Sequence, residues 1–380
     1  MNRITKILIM FWIIIFLTFN IYAEELKLQS EAAILIEKES GRVLFEKNSR
    51  ERRKIASLTK IMTAIVAVEN CNMEEMTVIG KNPAMLGGSV VGLKYNSKVS
   101  LENLMYGMLL KSGNDCALAI AEHVAGNKEE FSKLMNEKAK DIGAKDTFFT
   151  NPHGLDTEEN YSTAYDIAII TKYALNNKYI ANILNTNNIT LDFGGINKNL
   201  TNTNRLLRTT DFCIGGKTGF TNGANRCLMA VGKKNNMTLI AIILGAETTD
   251  IRFNEAKKLL EYGLNNYKMQ DISSYMNWYI NIDVYKGNVG SYTKNINNSI
   301  ILPLKEGELQ EIYIMQNLVP SLKAPVKKGA YLGNVEMYIG KERIYNENIY
   351  LMEEITKKTV KDYIEDGIKN IFNIKLEFGV

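Results

Sequence analysis

Residues 212–244 read FCIGGKTGFTNGANRCLMAVGKKNNMTLIAIIL and contain the segments that decide the fold. An apolar start, Phe212 to Ile214, leads into two glycines, and two further apolar runs follow, Cys227 to Val231 and Thr238 to Leu244. The polar turn Gly232 to Asn236 separates these last two runs. Short apolar runs bounded by Gly- and Asn-containing turns are typical of consecutive β-strands. This stretch therefore predicts the centre of a sheet.

The start of the chain after residue 30 predicts two more strands. Glu31 to Glu37 and Arg42 to Glu46 are apolar runs on either side of the polar turn Lys38 to Gly41, which is the pattern of a β-hairpin. Strands at both ends of a region, with helices between them, predict an α/β fold. Its sheet is assembled from distant segments rather than from alternating βα units.

The region between these strands has the periodicity of helices. Apolar residues recur every three or four positions from Ser57 to about Asn70. Further segments with helical character are Leu101 to Leu110, Ala117 to Val124, Thr163 to Leu175 with Thr163 as its cap, and Glu255 to Tyr262.

After about residue 272 short β-type segments alternate with Gly and Asn turns, which predicts a small all-β domain. These segments are Tyr279–Val284, Ser299–Leu304, Glu311–Met315 and Tyr331–Tyr338. The tail that follows has apolar residues at helical spacing, and most of its charged residues lie elsewhere around the helix. The apolar positions are Val360, Tyr363, Ile364, Ile368, Ile371 and Phe372. This pattern predicts an amphipathic helix on a membrane surface; the alternative is a helix packed on the β domain.

The first 23 residues have the pattern of a secretory signal. Arg3 and Lys6 precede the apolar run Ile7 to Phe19, and Ala23 precedes two acidic residues. The run is shorter than the roughly 20 residues that cross a bilayer, although an uncleaved anchor is the alternative. Either way, we expect the rest of the chain to work outside the cytoplasm.

Composition excludes several classes of function. The chain has 380 residues, of which 46% are hydrophobic and 23% charged, a normal globular balance. Its net charge of +4 forms no basic block, so no nucleic-acid partner is predicted. The cysteines, Cys71, Cys116, Cys213 and Cys227, form no CxxC pair and are accompanied by two histidines, so no metal or cofactor is predicted. Export permits disulfides; we favour small, partly buried apolar side chains over a Cys213–Cys227 pair.

Ser57-Leu58-Thr59-Lys60 is the first motif that suggests chemistry. Residues i and i+3 share a helix face, so Ser57 and Lys60 are expected to point into the same cleft. A serine hydroxyl needs a base to become a nucleophile. Burial or nearby positive charge can lower the pKa of a lysine enough to make it that base.

Two further motifs follow in the chain. Ser112-Gly113-Asn114 comes after an apolar helix, where Ser112 could relay a proton and Asn114 could hold a substrate amide. Lys217-Thr218-Gly219 lies on or beside a strand and supplies a positive charge, a hydroxyl donor and a glycine that lets a substrate backbone approach. Each motif alone occurs by chance, but Ser-x-x-Lys, Ser-x-Asn and Lys-Thr-Gly together occur in β-lactamases and penicillin-binding proteins.

The chain from about Leu26 to Tyr262 resembles the low-molecular-weight penicillin-binding proteins of the D-alanyl-D-alanine carboxypeptidase family. The resemblance rests on four segments, Ala56–Thr63, Ser112–Ala117, Asn151–Leu155 and Gly216–Thr221. It implies a β-lactamase/transpeptidase-like catalytic domain, an antiparallel sheet with a helical region, at residues 24–272. The small β domain at 273–352 and the tail helix at 353–380 also fit the family layout. Ile55 departs from the pattern, because many members have Pro there.

The resemblance also implies a role for each site residue. Ser57 attacks the carbonyl between the two terminal D-alanines of a peptidoglycan stem peptide, and Lys60 accepts its proton. Ser112 and Asn114 pass a proton to the departing D-alanine and hold the substrate. Carboxylate binding is implied for Lys217 and Thr218, with Gly219 beside them and Arg252 nearby, and an oxyanion hole for the amides of Ser57 and Phe220. His153 is expected to have a structural role.

Three alternatives share these motifs. A β-lactamase of class A uses an extra Glu-x-x-Leu-Asn-like element, which is not evident between Asn114 and Lys217. A DD-endopeptidase differs only in the length of its substrate, and a catalytically inactive wall-binding module would leave Ser57 inert towards penicillin. The resemblance favours the carboxypeptidase, with β-lactams as covalent inhibitors.

Overall fold

The computed structural model describes residues 26–273, 279–295, 299–365 and 367–368. The predicted signal at residues 1–23 and the tail positions Ile371 and Phe372 lie outside these residues. Within the described residues that precede the tail, nine α-helices are labelled in chain order: α1 Lys60–Asn70, α2 Lys81–Met85, α3 Leu101–Leu110, α4 Asn114–Ala125, α5 Lys128–Asp141, α6 Ala164–Leu175, α7 Lys178–Asn185, α8 Leu206–Thr209 and α9 Thr249–Asn266.

Most strands belong to three larger sheets, and the rest form short two-stranded ribbons. The strands are β1 Ala32–Glu37, β2 Val43–Lys47, β3 Met76–Val78, β4 Lys98–Ser100, β5 Asn188–Asp192, β6 Asn197–Thr201, β7 Cys213–Thr221, β8 Asn225–Lys234, β9 Met237–Ala246, β10 Lys268–Asp271, β11 Tyr279–Tyr285, β12 Ser291–Asn295, β13 Ile301–Leu304, β14 Ile312–Leu318, β15 Ser321–Lys323, β16 Tyr331–Ile339 and β17 Glu342–Tyr350.

A five-stranded antiparallel sheet in the order β2-β1-β9-β8-β7 forms the centre of the main domain. Successive side chains of a strand point to opposite faces. Accordingly, Ile34 of β1 and Ile242 of β9 belong to a core with the helical region, whereas Leu35 and Ile243 belong to a core with α9. Both faces are covered, which explains why these strands are continuously apolar. The predicted α/β class, with its sheet made from both ends of the domain, is confirmed.

The hairpin and helices predicted from periodicity are present, with changes at their ends. Thr163 caps α6, since its Oγ1 accepts from the amide of Asp166 at 3.0 Å. The predicted closing helix is longer than expected at both ends. It begins after Thr248, whose Oγ1 accepts from the amide of Ile251 at 3.1 Å, and it runs to Asn266. The segment that contains Ser57 begins with the 3₁₀ turn Ala56–Thr59 before α1.

The β-rich domain has its own apolar core, and strand pairing supports boundaries that differ from the predicted ones. β10 pairs with β13, which assigns residues 268–271 to this domain rather than to the one before it. Leu351 and Ile355 are buried in its core, and Val326 bridges to Ile355. We therefore propose boundaries near residues 267 and 358 instead of 272 and 352. Both differences arise from strand pairing between distant segments, which local patterns do not show.

Arg42, in the turn between β1 and β2, links the two domains. Its guanidinium is buried and donates to Glu308 at 2.8 Å and to Glu342 at 3.0 Å. Burial alone would lower the pKa of Arg42, but its hydrogen bonds and charge interactions with the two carboxylates raise it overall. Because a buried charge without partners is costly, this pair of ion pairs fixes where the β domain attaches.

The four cysteines are free thiols, and Cys213 and Cys227 lie on the neighbouring strands β7 and β8 without pairing. Among the described residues, no helix combines the length and the hydropathy required to pass through a lipid bilayer.

Candidate active site

Ser57 lies in the 3₁₀ turn immediately before α1, so that Lys60 is the first residue of the helix. Gly154 packs against this turn: with φ at +82°, it approaches so closely that a Cβ there would lie 2.0 Å from the carbonyl oxygen of Ala56. The Ser57 hydroxyl and the Lys60 amine are 2.9 Å apart. The predicted pairing of Ser57 with Lys60 on one face is therefore observed.

The Lys60 amine is completely buried and contacts three oxygen atoms. It donates to Oδ1 of Asn114 at 2.8 Å and to the carbonyl of His153 at 2.5 Å, and the third contact is the Ser57 hydroxyl. Burial lowers the pKa of Lys60 to about 7, although the charges of Cys116 and Asp115 oppose the shift. The first two oxygens only accept, so a neutral amine that donates to both keeps its lone pair for the Ser57 proton.

Ser112 lies between α3 and α4 in a left-handed conformation with φ at +65°. Its hydroxyl accepts from the Lys217 amine at 2.8 Å, and this amine also donates to the carbonyl of Thr218 at 2.7 Å. Lys217 is completely buried. Burial, and then the charges of Lys60 and Arg252, lower the pKa of Lys217 well below its usual value.

The position of Lys217 differs from the expectation that it binds a substrate carboxylate directly. Its amine lies beneath the cleft and does not line it. The strand alternation places the side chain of Thr218 towards the cleft, with its hydroxyl 2.7 Å from that of Thr203, while Lys217 points inward. Lys217 can therefore act on a substrate indirectly, through its hydrogen bond to the Ser112 hydroxyl and through its electrostatic field.

Asn114 and Asp115 connect the site to the loop at residues 87–93. The amide nitrogen of the Asn114 side chain donates to the carbonyl of Gly87 at 3.0 Å. The Asp115 carboxylate accepts from the backbone amides of Val91, Gly92 and Leu93 at 3.0, 2.7 and 3.1 Å. Sequence reasoning missed Asp115, although its position beside the Ser-Gly-Asn motif could have indicated it.

Gly219 allows strand β7 to pass directly against the 3₁₀ turn that contains Ser57. A Cβ at this position would lie 3.0 Å from the carbonyl oxygen of Ile55 and 3.1 Å from the amide nitrogen of Ser57. Phe220 follows at the rim of the cleft, with its ring exposed and the guanidinium of Arg226 over it at 4.9 Å. The two amides predicted for the oxyanion hole, those of Ser57 and Phe220, thus belong to segments in contact.

Positive charge is concentrated at one end of the cleft. Arg252 of α9 is buried and donates to the carbonyl of Gly219 at 3.2 Å, so it lies beside strand β7 as the resemblance implies. Burial lowers the pKa of Arg252 to about 10, which still leaves it charged at neutral pH. Arg205, which sequence reasoning missed, lies over the ring of Phe253 at 4.5 Å and pairs with Asp250 at 2.6 Å.

These groups surround a cleft of about 590 Å³. Every predicted site residue except the buried Lys60 and Lys217 lines it. The lining residues are Ser57, Gly88, Ser89, Lys111, Ser112, Asn114, Gly154, Leu155, Thr203, Arg205, Thr218, Gly219, Phe220, Thr221, Thr249, Arg252 and Phe253.

His153 has a structural place in the site. Its carbonyl holds Lys60, and its ring Nδ1 accepts from the amide of Leu155 at 3.2 Å. Burial, followed by the charges of Lys60 and Lys128, lowers the pKa of His153 to about 3. The ring is therefore neutral at ordinary pH and exchanges no proton there.

Comparisons with known protein families match two separate segments of the chain. Residues 20–248 match the D-alanyl-D-alanine carboxypeptidase family, and residues 278–357 match the C-terminal domain of penicillin-binding protein 5. The second match ends at the last residues that pair with the β-rich domain, since Lys357 bridges to Gly287.

Individual relatives and solved structures are similar to this chain over most of its length. The D-alanyl-D-alanine carboxypeptidase DacF of Bacillus subtilis is 33% identical over 340 residues, which cover 88% of this chain and 87% of the relative. DacC of Escherichia coli is also 33% identical, over 86% of this chain and 84% of the relative. The crystal structure of penicillin-binding protein 5 from Haemophilus influenzae superposes with a TM-score of 0.75 at 29% identity, covering 87% of this chain and 98% of that one.

Proposed function

The chain belongs to the D-alanyl-D-alanine carboxypeptidase family, and on this premise we propose which residues of its cleft carry out each step. It is a serine-type carboxypeptidase that removes the terminal D-alanine from peptidoglycan stem peptides. The single observation that carries the residue assignment is the buried Lys60 amine, 2.9 Å from the hydroxyl of Ser57.

Acylation begins at Ser57. The neutral Lys60 amine takes the hydroxyl proton while Ser57 Oγ attacks the carbonyl carbon between the two D-alanines. The negative charge that develops on the carbonyl oxygen is stabilised by the backbone amides of Ser57 and Phe220. Collapse of the tetrahedral intermediate breaks the peptide bond, leaving the shortened peptide as an ester on Ser57.

The leaving D-alanine needs a proton on its nitrogen. The Ser112 hydroxyl supplies this proton. It then takes a proton from the Lys217 amine, which lies 2.8 Å away. Asn114, held through Lys60 and Gly87, positions the substrate amide. Water then attacks the ester and gives up a proton, which passes through Ser112 back to Lys217. The proton that Lys60 holds returns to Ser57 as the acid product leaves.

The terminal carboxylate of the substrate binds at the basic end of the cleft. Thr218 offers its hydroxyl, and Arg252 offers a guanidinium that remains charged at neutral pH. Gly219 leaves room beside them for the last residue of the peptide. A charge-assisted pair of this kind selects peptides that end in a free carboxylate.

The partners follow from the reaction. Peptidoglycan is the substrate, and β-lactam antibiotics, which the penicillin-binding relatives take their name from, react at the same serine. Because this substrate lies outside the cytoplasm, the enzyme works there. We further propose that residues 1–23 direct export and that the tail from residue 359 holds the enzyme at the membrane surface.

Labelling with penicillin tests the assignment. Mass spectrometry of a proteolytic digest should find the adduct on Ser57, and Ser57→Ala should lower kcat/KM on the order of 10⁴-fold or more. Ser299→Ala, on a loop of the β-rich domain, is the matched control and should label normally. An adduct on Ser112 would refute the assignment.

A further inference from the structure

Cys71, Glu75 and His123 bring a thiol, a carboxylate and an imidazole together outside the cleft. One ligand atom from each lies within 4.8 Å of the others. Nε2 of His123 and Oε2 of Glu75 are 3.0 Å apart. The sequence predicted no metal site, because the cysteines form no CxxC pair and only two histidines are present. His123 is far along the chain from the other two residues, so local spacing does not reveal the group.

We propose that Cys71, Glu75 and His123 bind one Zn²⁺ ion, with water as the fourth ligand. Sulfur, nitrogen and oxygen donors in a tetrahedron are the set that Zn²⁺ favours. Typical bond lengths of about 2.0–2.3 Å place neighbouring donors about 3.3–3.6 Å apart, so small side-chain rotations suffice. On binding, the thiol of Cys71 loses its proton to solvent and the imidazole binds through Nε2 with its proton on Nδ1.

The backbone at this position is already ordered by contacts that leave the ligand atoms accessible. Oε1 of Glu75 accepts from the amide of Asn72 at 2.9 Å, which leaves Oε2 for the metal. The amide of Leu101 donates to the carbonyl of Glu75 at 2.9 Å, and that of Glu102 donates to the carbonyl of Met73 at the same distance. Hydrogen bonds that orient ligands in this way are typical of zinc sites.

The three side chains lie beside the C-terminal ends of two helices, and this position favours a cation whichever atoms bind it. Cys71 is the residue that ends α1, and His123 lies in the last turn of α4. The C-terminal end of a helix carries partial negative charge from carbonyl groups without intrahelical partners. Two such ends therefore add to the negative charges of the thiolate and of the Glu75 carboxylate.

The ion connects the two helices whose first residues form the active site. Lys60 begins α1 and Asn114 begins α4, and the helices pack against each other. The ligands lie at the opposite ends of both helices. We therefore expect Zn²⁺ to stabilise the helix pair without entering the reaction.

Co²⁺ and Zn²⁺ titrations of the full-length enzyme test the proposal. Co²⁺ should produce a saturable thiolate-to-metal charge-transfer band at one ion per chain, and Zn²⁺ should displace it. Cys71→Ser, Glu75→Gln and His123→Gln should each weaken binding by at least the roughly 10–100-fold that loss of an outer-shell partner costs in known sites. Glu74→Gln, the neighbouring exposed carboxylate, should bind normally.

Two further measurements separate binding from damage to the fold. Zn²⁺ should raise the Tm of the wild type and of Glu74→Gln but not of the ligand variants, because only a ligand of the native state stabilises it. Cys71 is partly exposed, whereas the other three thiols are buried, so Zn²⁺ should protect Cys71 of the unaltered enzyme from alkylation. The absence of a saturable band, or no protection of Cys71, overturns the proposal; so does a band that persists in Cys71→Ser.

Discussion

Lys60 and Lys217 are both completely buried at the active site, and their partners give them different roles. The Lys60 amine contacts one hydroxyl and two oxygens that only accept, which suits a base for Ser57. The Lys217 amine donates to the Ser112 hydroxyl and to a backbone carbonyl of its own strand. Two buried ammonium groups would repel each other, so the fully charged state of the pair is disfavoured.

We predict that acylation by penicillin rises with pH through about 7. Burial lowers the pKa of Lys60 to about 7, and the neutral amine, the form above that pH, is the one that accepts the Ser57 proton. The second-order rate constant, measured from pH 5 to pH 9, should increase and then level off.

Lys172 provides a control for this pH profile. Desolvation lowers its pKa as well, but Lys172 is only partly buried, lies on α6 and contacts the carbonyl of Glu39. Lys172→Met should leave the profile unchanged. A profile that is flat through pH 7, or that is still rising without levelling off at pH 9, would rule out Lys60 as the base.

Arg252 and Lys217 should differ in their effect on substrate selection. Arg252→Ala removes a charge-assisted hydrogen bond worth about 1.5–3 kcal/mol, so kcat/KM should fall about 10- to 100-fold for a peptide with a free carboxylate. For the amide of the same peptide, kcat/KM should fall little. Lys217→Ala should slow both substrates to a similar extent, because Lys217 lies beneath the cleft.

The exposed Arg52, paired with Asp146, is the matched control, and Arg52→Ala should not alter either rate. Equal losses on both substrates for Arg252→Ala would show that Arg252 does not bind the carboxylate. A selective loss for Lys217→Ala would restore the direct role first expected of that residue.

At the scale of elements, strand β7 packs against the 3₁₀ turn Ala56–Thr59, and we expect this contact to hold Ser57 in the position from which it reacts. Gly219→Ala places a Cβ 3.0 Å from the carbonyl oxygen of Ile55 and should push the strand away from Ser57. Overpacking of this size costs about 1–3 kcal/mol, and we expect acylation to slow about tenfold or more. Stopped-flow acylation and a thermal melt measure the two effects.

Gly290→Ala is the control for this change, since a Cβ there meets nothing within 4 Å and φ is not positive. It should match the wild type in both rate and Tm. If Gly219→Ala acylates at the wild-type rate, close packing of β7 on the turn is not required for catalysis.

Local sequence patterns predicted the helices and strands whose apolar side chains face a core. They did not predict the contacts between segments that are distant in the chain. The spacing of Ser57 and Lys60 was sufficient to place them together, because three residues along a helix define one face. Strand β17 was missed, since Ile344 and Ile349 are its only two buried residues and most of its other positions are polar. Thr203 and Asp115 were missed because their partners lie on other segments.

At the scale of the whole molecule, the two domains meet away from the cleft. The β-rich domain is held by Arg42 beside β2, at one edge of the sheet, whereas β7 forms the opposite edge. Four strand spacings of about 4.8 Å separate these edges by about 19 Å. Attachment at the far edge leaves the cleft open to a polymeric substrate.

The tail that follows the β-rich domain exposes apolar side chains. Residues 360–365 are helical, and the side chains of Val360, Tyr363, Ile364 and Ile368 are exposed to 78, 52, 58 and 50%. In the described part of the tail, these apolar groups are therefore not packed into the β-rich domain. Among the described residues, the last backbone hydrogen bond between the tail and that domain runs from the amide of Lys358 to the carbonyl of Lys286, so we place the truncation after residue 358.

We predict that residues 24–380 co-sediment with anionic vesicles and that residues 24–358 stay in the supernatant with full activity on a small peptide. Apolar area contributes about 25 cal/mol per Å² when it enters the interface, and nearby lysines add an attraction that salt weakens. Ile364→Glu should reduce sedimentation strongly, whereas Glu365→Gln, the next residue, should not. If residues 24–380 also remain in the supernatant at low salt, the exposed face of the tail binds something other than lipid.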